Sequence, residues 1–191
     1  MKTFYYYRYS KTICLLLTLF LLASCNRNYS TVNIKDQYQL DVPSNFKKVN
    51  DLNKEASLQY QNDFEKLYLI VIDEPKTVFT KAIIDNGLQD RYTDDLKGYA
   101  DLITDGMENS IAVKEMPPFE ELSIGGNKAR ELSFDGVSSG NHVYWKLAFI
   151  EGQNHYYQIM VWTEADNKGK YEKKMNTIVN SFKETDRSSK R

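Results

Sequence analysis

Two stretches of this sequence are apolar on both sides of an extended chain, and that limits what the chain can fold into. In HVYWKLAFI (residues 142–150), Val143, Trp145, Leu147 and Phe149 fall on one side, and Tyr144, Ala148 and Ile150 on the other. In KLYLIVID (residues 66–73), Leu67, Leu69 and Val71 oppose Tyr68, Ile70 and Ile72. Side chains alternate along a strand, and a strand that is apolar on both faces is covered on both faces. Two turns set the strand direction. Gly125-Gly126 separates FEELSI from KARELSFD, and EGQN separates HVYWKLAFI from HYYQIMVW. Both read as hairpins, so the sheet is expected to be mainly antiparallel.

The covering layers come from helical periodicity. Leu96, Tyr99, Ala100, Ile103, Met107 and Ile111 recur on one face of a helix that Thr93 or Asp94 would cap. Asp101, Asp105 and Glu108 line the other face, which reads as solvated. Tyr171, Met175, Ile178, Val179 and Phe182 mark a second helix after Asp166 or Asn167, and Val78 to Ile83 suggests a short third one ended by Asn86-Gly87. YQLDVP (38–43) and SLQYQN (57–62) are further strands, and GVSSGN (136–141) reads as a loop. The expected fold is α+β: a mainly antiparallel sheet of six to seven strands covered by helices on both faces, an α/β/α sandwich. Helices on a single face are the alternative, at the cost of one exposed apolar row.

The first 25 residues have a different pattern. Lys2, Arg8 and Lys11 precede an apolar run of about 11 residues (13–23), and no acidic residue occurs before Asp36. A membrane-spanning helix needs roughly 20 apolar residues; a positive start, a short apolar middle and small residues at the end describe a secretory signal peptide. Leu22-Ala23-Ser24-Cys25 resembles the lipobox of bacterial lipoproteins. That resemblance implies a signal peptide over 1–24, a diacylglyceryl group on Cys25 and a new acylated amine there, with 25–35 as a lipidated polar tether. It places the protein in the bacterial cell envelope, held to a membrane by its lipid. No acidic run follows Cys25, so a periplasm-facing location is expected. The folded domain is expected over 36–183, and 184–191 (ETDRSSKR) reads as a disordered tail.

Charge and cysteine content narrow the function. The first 24 residues hold three of the 25 basic residues and none of the 26 acidic ones, so the remaining 167 carry 22 against 26, a formal charge near −4. Nucleic-acid binding would want a clustered basic excess, and none is expected. The two cysteines are Cys14, in the leader, and Cys25, which leaves the domain without a thiolate metal site or a disulfide.

No catalytic residue set stands out either. His142 and His155 begin consecutive strands, whose starts lie at opposite ends of an antiparallel pair. Asp73-Glu74 and Glu120-Glu121 are adjacent on strands and point apart, whereas glycoside chemistry needs carboxyls facing across one bond. No Gly-x-Ser-x-Gly elbow is present, and Gly125-Gly126 lacks the Lys-Ser/Thr of a phosphate loop. Asp101, Asp105 and Glu108 on one helix fall short of the six to eight oxygens Ca²⁺ takes. Tyr144, Trp145, Tyr156, Tyr157 and Trp162 could line a ligand groove, but their place on central strands favours the core. No catalytic residue, metal or cofactor is assigned.

YQLDVPSNFKK resembles the opening hairpin of PsbP-like proteins, an alternating strand running into a Pro turn and an aromatic residue, here Phe46. YYQIMVWTEADNKGKYEKKMNTIVNSFK is similar to their closing unit, a last strand, a short polar loop and a helix ending in Ser181-Phe182. The similarity spans about residues 36–183. That group includes the extrinsic subunit of the oxygen-evolving complex, a Ran-binding nucleotide-release factor and bacterial envelope lipoproteins. The resemblance implies a binding or accessory protein that engages a protein partner, and carries over no common residue set. A small-molecule or lipid carrier, with a pocket between sheet and helix, is the second expectation; a hydrolase is the third.

Overall fold

The computed structural model describes residues 28–185 apart from 35, 109 and 114. The expected signal peptide and Cys25 lie outside the described residues. Among the described residues, ten strands form two sheets: β1 (Tyr29–Ile34), β2 (Tyr38–Pro43), β3 (Lys47–Lys48), β4 (Leu58–Asn62), β5 (Leu67–Pro75), β6 (Glu120–Ile124), β7 (Asn127–Ser138), β8 (Asn141–Glu151), β9 (His155–Glu164) and β10 (Lys183–Glu184). The helices are α1 (Lys76–Asp85), α2 (Leu96–Glu108) and α3 (Lys168–Asn180), the last entered through a 3-10 turn at Ala165–Asn167. The main sheet has seven strands in the order β3-β4-β5-β9-β8-β7-β6, and β1-β2-β10 form a separate three-stranded sheet. Every pairing is antiparallel.

The two-sided strands are central, as their composition requires. On one face, Leu67, Leu69, Val71, Ala148, Ile150, Tyr157, Ile159 and Val161 pack against Tyr171, Met175, Ile178 and Val179 of α3 and against Tyr38, Leu40 and Val42 of the small sheet. On the other, Leu132, Phe134, Trp145, Leu147, Phe149 and Tyr156 pack against Phe79 and Ile83 of α1 and Leu96, Tyr99 and Ala100 of α2. Helices thus cover both faces.

Local chemistry explains most boundaries. Asp95, rather than Thr93 or Asp94, caps α2: its carboxylate accepts hydrogen bonds from the Gly98 N–H (2.9 Å) and the Thr93 hydroxyl (2.6 Å). Asp94 instead accepts the Thr80 hydroxyl (2.9 Å), tying α1 to α2. Gly125 and Gly126, both at positive φ (61° and 89°), make the two-residue turn between β6 and β7.

Three expectations are corrected. Residues 29–34, assigned to a polar tether, form β1, in register with β2 from Tyr29↔Pro43 to Ile34↔Tyr38. Its polar look hid three residues, Tyr29, Val32 and Ile34, that pack on the core. The assumed tail is ordered at its start, because Lys183 and Glu184 pair with Gln39 and Tyr38. The GVSSGN loop is mostly strand. Gly136, Val137 and Ser138 continue β7, and only Ser139 and Gly140 turn, at φ 50° and 81°. In addition YQLDVP, placed by sequence among the strands of one sheet, lies in the small sheet.

Candidate functional site

The α1/α2 face of the main sheet is incompletely covered. α2 lies over β7 and β8, and a loop over residues 49–56 folds against β4. Between them is an open groove of about 760 Å³. Val143, Trp145, Met160 and Trp162 form its floor, Ile103, Met107 and Ile111 one wall, and Leu52 and Asn53 the other; the β7–β8 turn closes one end.

The register builds that floor. Trp145 sits opposite Trp162, and Val143 opposite Glu164. Each indole is fixed by a stacked neighbour, Trp145 on Phe134 (centroids 5.3 Å apart) and Trp162 on Tyr68 (5.3 Å). The walls are held as firmly. The buried Gln59 carboxamide accepts the N–H groups of Leu52 (2.9 Å) and Asn53 (3.0 Å) and donates to the Asn53 carbonyl (2.6 Å). Across the groove, Ala112 and Val137 exchange two backbone hydrogen bonds of 3.0 Å. Gly136 is required there, because a Cβ would stand 2.8 Å from Cγ2 of Ile111.

The groove therefore offers a preformed apolar surface with hydroxyl, amide and backbone groups at its ends. No described lining residue is titratable, so the groove can bind and orient but has no side chain for acid–base work. The four segments that build it (51–55, 103–111, 138–143 and 160–164) carry more acids than bases, Asp51, Glu55, Asp105, Glu108 and Glu164 against Lys54, and of these Asp105 is paired with Arg91. Lys54 lies 3.9 Å from Glu55.

The five aromatics weighed from sequence divide between the faces. Tyr144 and Tyr157 lie in the α3-side core. Tyr156 belongs to an aromatic cluster under the helices, 4.8 Å from Tyr99 and 5.6 Å from Phe79, centroid to centroid. Burial, then the carboxylates of Glu151, Asp94 and Asp95, push the Tyr156 phenol up to about 12, which keeps it neutral in that cluster. Only Trp145 and Trp162 reach the groove. Sequence reasoning missed Met160, Ile103, Met107 and Leu52 as partners of the two indoles. They come from separate elements, and only the Trp145–Trp162 register could have been guessed from the short EGQN turn.

Of the three acids on α2, Glu108 is exposed as expected, whereas Asp101 and Asp105 are half-buried and paired. Asp101 accepts from Arg130 (2.7 Å) and from Lys97, and Asp105 from Arg91 (2.6 Å) and the Tyr92 hydroxyl (2.7 Å). Arg130, 8% exposed, also donates to Glu121 (2.6 Å) and the Lys97 carbonyl (3.2 Å) and lies 4.0 Å from the centre of the Phe119 ring. Burial alone would raise the Asp101 carboxyl; hydrogen bonds from Lys97 and Arg130 outweigh it and hold the group below its ordinary value. This cluster borders a second cleft of about 500 Å³, but its charges are already paired. On the opposite face a buried pair, Lys146 with Glu131, also went unforeseen.

The histidines do not meet. His142 pairs with Val137 and His155 with Pro75, at opposite ends of β8 and β9. Asp73 and Glu74 point to opposite faces; Asp73 accepts from Gln37, and burial raises the Glu74 carboxyl. Glu121 bonds Arg130, while Glu120 lies across from Glu131 on the other face. Among the described residues, no three His, Cys, Asp or Glu side chains gather in a group able to hold a metal.

No protein-family model matches the sequence, and no curated protein matches it. Solved structures do match its fold. CyanoP, the cyanobacterial PsbP of Synechocystis, superposes with a TM-score of 0.53 at 14% identity, over 84% of this chain and 94% of that one. The Ran-binding protein Mog1p of Saccharomyces cerevisiae superposes with a TM-score of 0.52 at 13% identity, over 84% and 97%. The chain has the PsbP-like α/β fold. At this identity the likeness concerns the fold alone. No helix among the described residues is long and apolar enough to cross a membrane.

Proposed function

We propose that the protein is a lipid-anchored, non-enzymatic accessory domain of the bacterial envelope, and that it binds a protein partner through the Trp145–Trp162 groove. The observation that carries this is the groove itself: an open groove with an apolar floor, closed at one end by the β7–β8 turn, with no titratable residue among its described lining. A rigid aromatic floor supplies contact area at little entropic cost, which is how tryptophans come to dominate interface energetics. The excess of acids on the segments around it suits a partner segment with apolar side chains flanked by lysine or arginine. The anchor reading rests on Leu22-Ala23-Ser24-Cys25.

A second reading keeps the same groove and fills it with a small apolar molecule. Its position between sheet and helix, and its volume within the range of ligand pockets, favour that alternative. Site-specific photocrosslinking in intact cells separates the two. A photoreactive residue at Met160 should join the chain to one defined protein, and the same residue at the exposed Lys173 should not. Trp162→Ala should weaken the crosslink about tenfold or more. Equal crosslinking at both positions, or a stoichiometric small molecule in native mass spectrometry of the full chain, would remove the partner reading. Cys25→Ser should abolish palmitate labelling; continued labelling of that variant would remove the anchor.

A further inference from the structure

The described residues begin beside the most exposed large apolar side chain among them. Phe64, at the tip of the β4–β5 hairpin, is 95% exposed. Nothing in the fold needs an aromatic residue there: the turn is held by its polar neighbours, with the Glu65 N–H donating to the Asn62 side chain (3.0 Å) and the Gln61 amide donating to Asp63 (2.7 Å). The same turn is joined to the chain's point of entry. The Asn28 carbonyl accepts the Ser44 N–H (2.9 Å), the neighbouring Asn45 amide donates to Glu65 (3.1 Å), and the Asn62 amide donates to the Asn45 carbonyl (3.2 Å). Asn28, the Ser44–Asn45 turn and the Phe64 turn therefore form one end of the molecule.

That end is basic although the chain after residue 24 is acidic overall. Segments 44–48, 62–66 and 170–174 meet there, through the strand pair Lys47↔Gln61 and the ion pair of Lys174 with Glu65 (2.6 Å). They contain Lys47, Lys48, Lys66, Lys170, Lys173 and Lys174 against Asp63, Glu65 and Glu172. Lys174 and Glu65 neutralise each other, which leaves five lysines against Asp63 and Glu172.

We infer that the Phe64 turn and its lysines form a second membrane contact, with Phe64 in the interfacial layer of an anionic bilayer and the lysines on its headgroups. The inference rests on the anchor reading for Cys25. Because β1 already begins at Tyr29, Asn28 stands only three positions beyond Cys25, a reach of at most about 11 Å. An acyl chain on Cys25 therefore brings this end, and no other, to the bilayer surface. A Phe ring gains by burial at the boundary between headgroups and acyl chains, and lysines near an anionic leaflet are each attracted to it. The domain then stands in a fixed orientation on the membrane rather than swinging on a tether.

The test uses the full chain carrying Phe64→Trp, reconstituted into vesicles of phosphatidylcholine and phosphatidylglycerol in equal parts, with and without brominated phosphatidylcholine. The parent protein, which has only Trp145 and Trp162, supplies the background. Brominated lipid should remove most of the emission added by the introduced indole, and aqueous iodide should remove little of it. Lys47→Glu with Lys48→Glu should reverse that preference, as should replacing phosphatidylglycerol with phosphatidylcholine. Added emission that iodide quenches and brominated lipid does not would overturn the contact. Palmitate labelling of Cys25 is measured separately. Loss of the anchor reading would appear there, whereas the introduced indole reports where residue 64 lies, whatever holds the chain on the vesicle.

Discussion

Arg130 shows how a single side chain can join elements that no local pattern relates. Its guanidinium bonds Asp101 on α2 and Glu121 on β6 while lying over Phe119. Breaking a buried pair by removing one partner costs about 3–5 kcal/mol. Here Asp101 and Glu121 keep 28% and 69% of their side-chain surface in water, so they rehydrate, and Arg130→Met should cost about 2 kcal/mol by urea unfolding near neutral pH. The pH dependence follows from the Asp101 shift. A carboxyl held below its unfolded value contributes stability that is present above that value, about 4, and lost as pH falls through the folded value. The parent should therefore lose stability as pH falls below about 4, and Arg130→Met should lose less over the same acid limb. Parallel acid limbs for the two proteins would show that Arg130 does not set the Asp101 value. From sequence, Asp101 looked like one of three solvated acids. Arg130 was unremarkable too, because 29 residues separate it from Asp101.

The β6–β7 hairpin gives a contrast at the level of elements. Gly125 and Gly126 were readable as a turn, and both have positive φ. Their surroundings differ. A Cβ on Gly126 would meet nothing within 4 Å, whereas one on Gly125 would stand 2.4 Å from the Phe182 carbonyl oxygen. Gly126→Ala should cost about 1 kcal/mol, the conformational penalty alone. Gly125→Ala should cost about 3 kcal/mol or more, because turn and backbone must separate beside the fully buried Phe182. Thermal melts of the two variants check this, and equal losses would mean that the turn does not bear on the C-terminal segment. The motif gave the turn type; the close approach of a residue so much further along the chain could not be read from it.

For the whole molecule, the small sheet decides where the domain begins and ends. β2 is flanked by β1 and β10, and Glu184 fastens that arrangement to the β8–β9 hairpin. Its carboxylate accepts the Gln153 N–H (2.8 Å), the Asn127 amide (3.0 Å) and the Tyr157 hydroxyl (3.2 Å). Hydrogen bonds to charged groups are worth about 1.5–3 kcal/mol, and this one is partly exposed. Glu184→Ala should therefore cost about 2 kcal/mol, and deletion of 183–191 more, whereas deletion of 186–191 should cost little. If the two deletions melt together, β10 contributes nothing and the domain ends at Phe182.

Short-range chemistry determined the elements. Two-faced apolar strands required cover on both sides, the Gly125-Gly126 and EGQN turns required antiparallel neighbours, and 3.6-residue periodicity placed α2 and α3. Those features act within a strand, a turn or a helix face, and so they are visible in a one-dimensional pattern. The tertiary structure alone decided the strand status of 29–34 and 183–184, the Arg130 network and the groove. A polar segment such as YSTVNI becomes a strand only when a neighbour supplies its backbone partners. A groove exists only where residues as distant as Leu52, Met107, Val143 and Trp162 are brought together and a covering helix stops short.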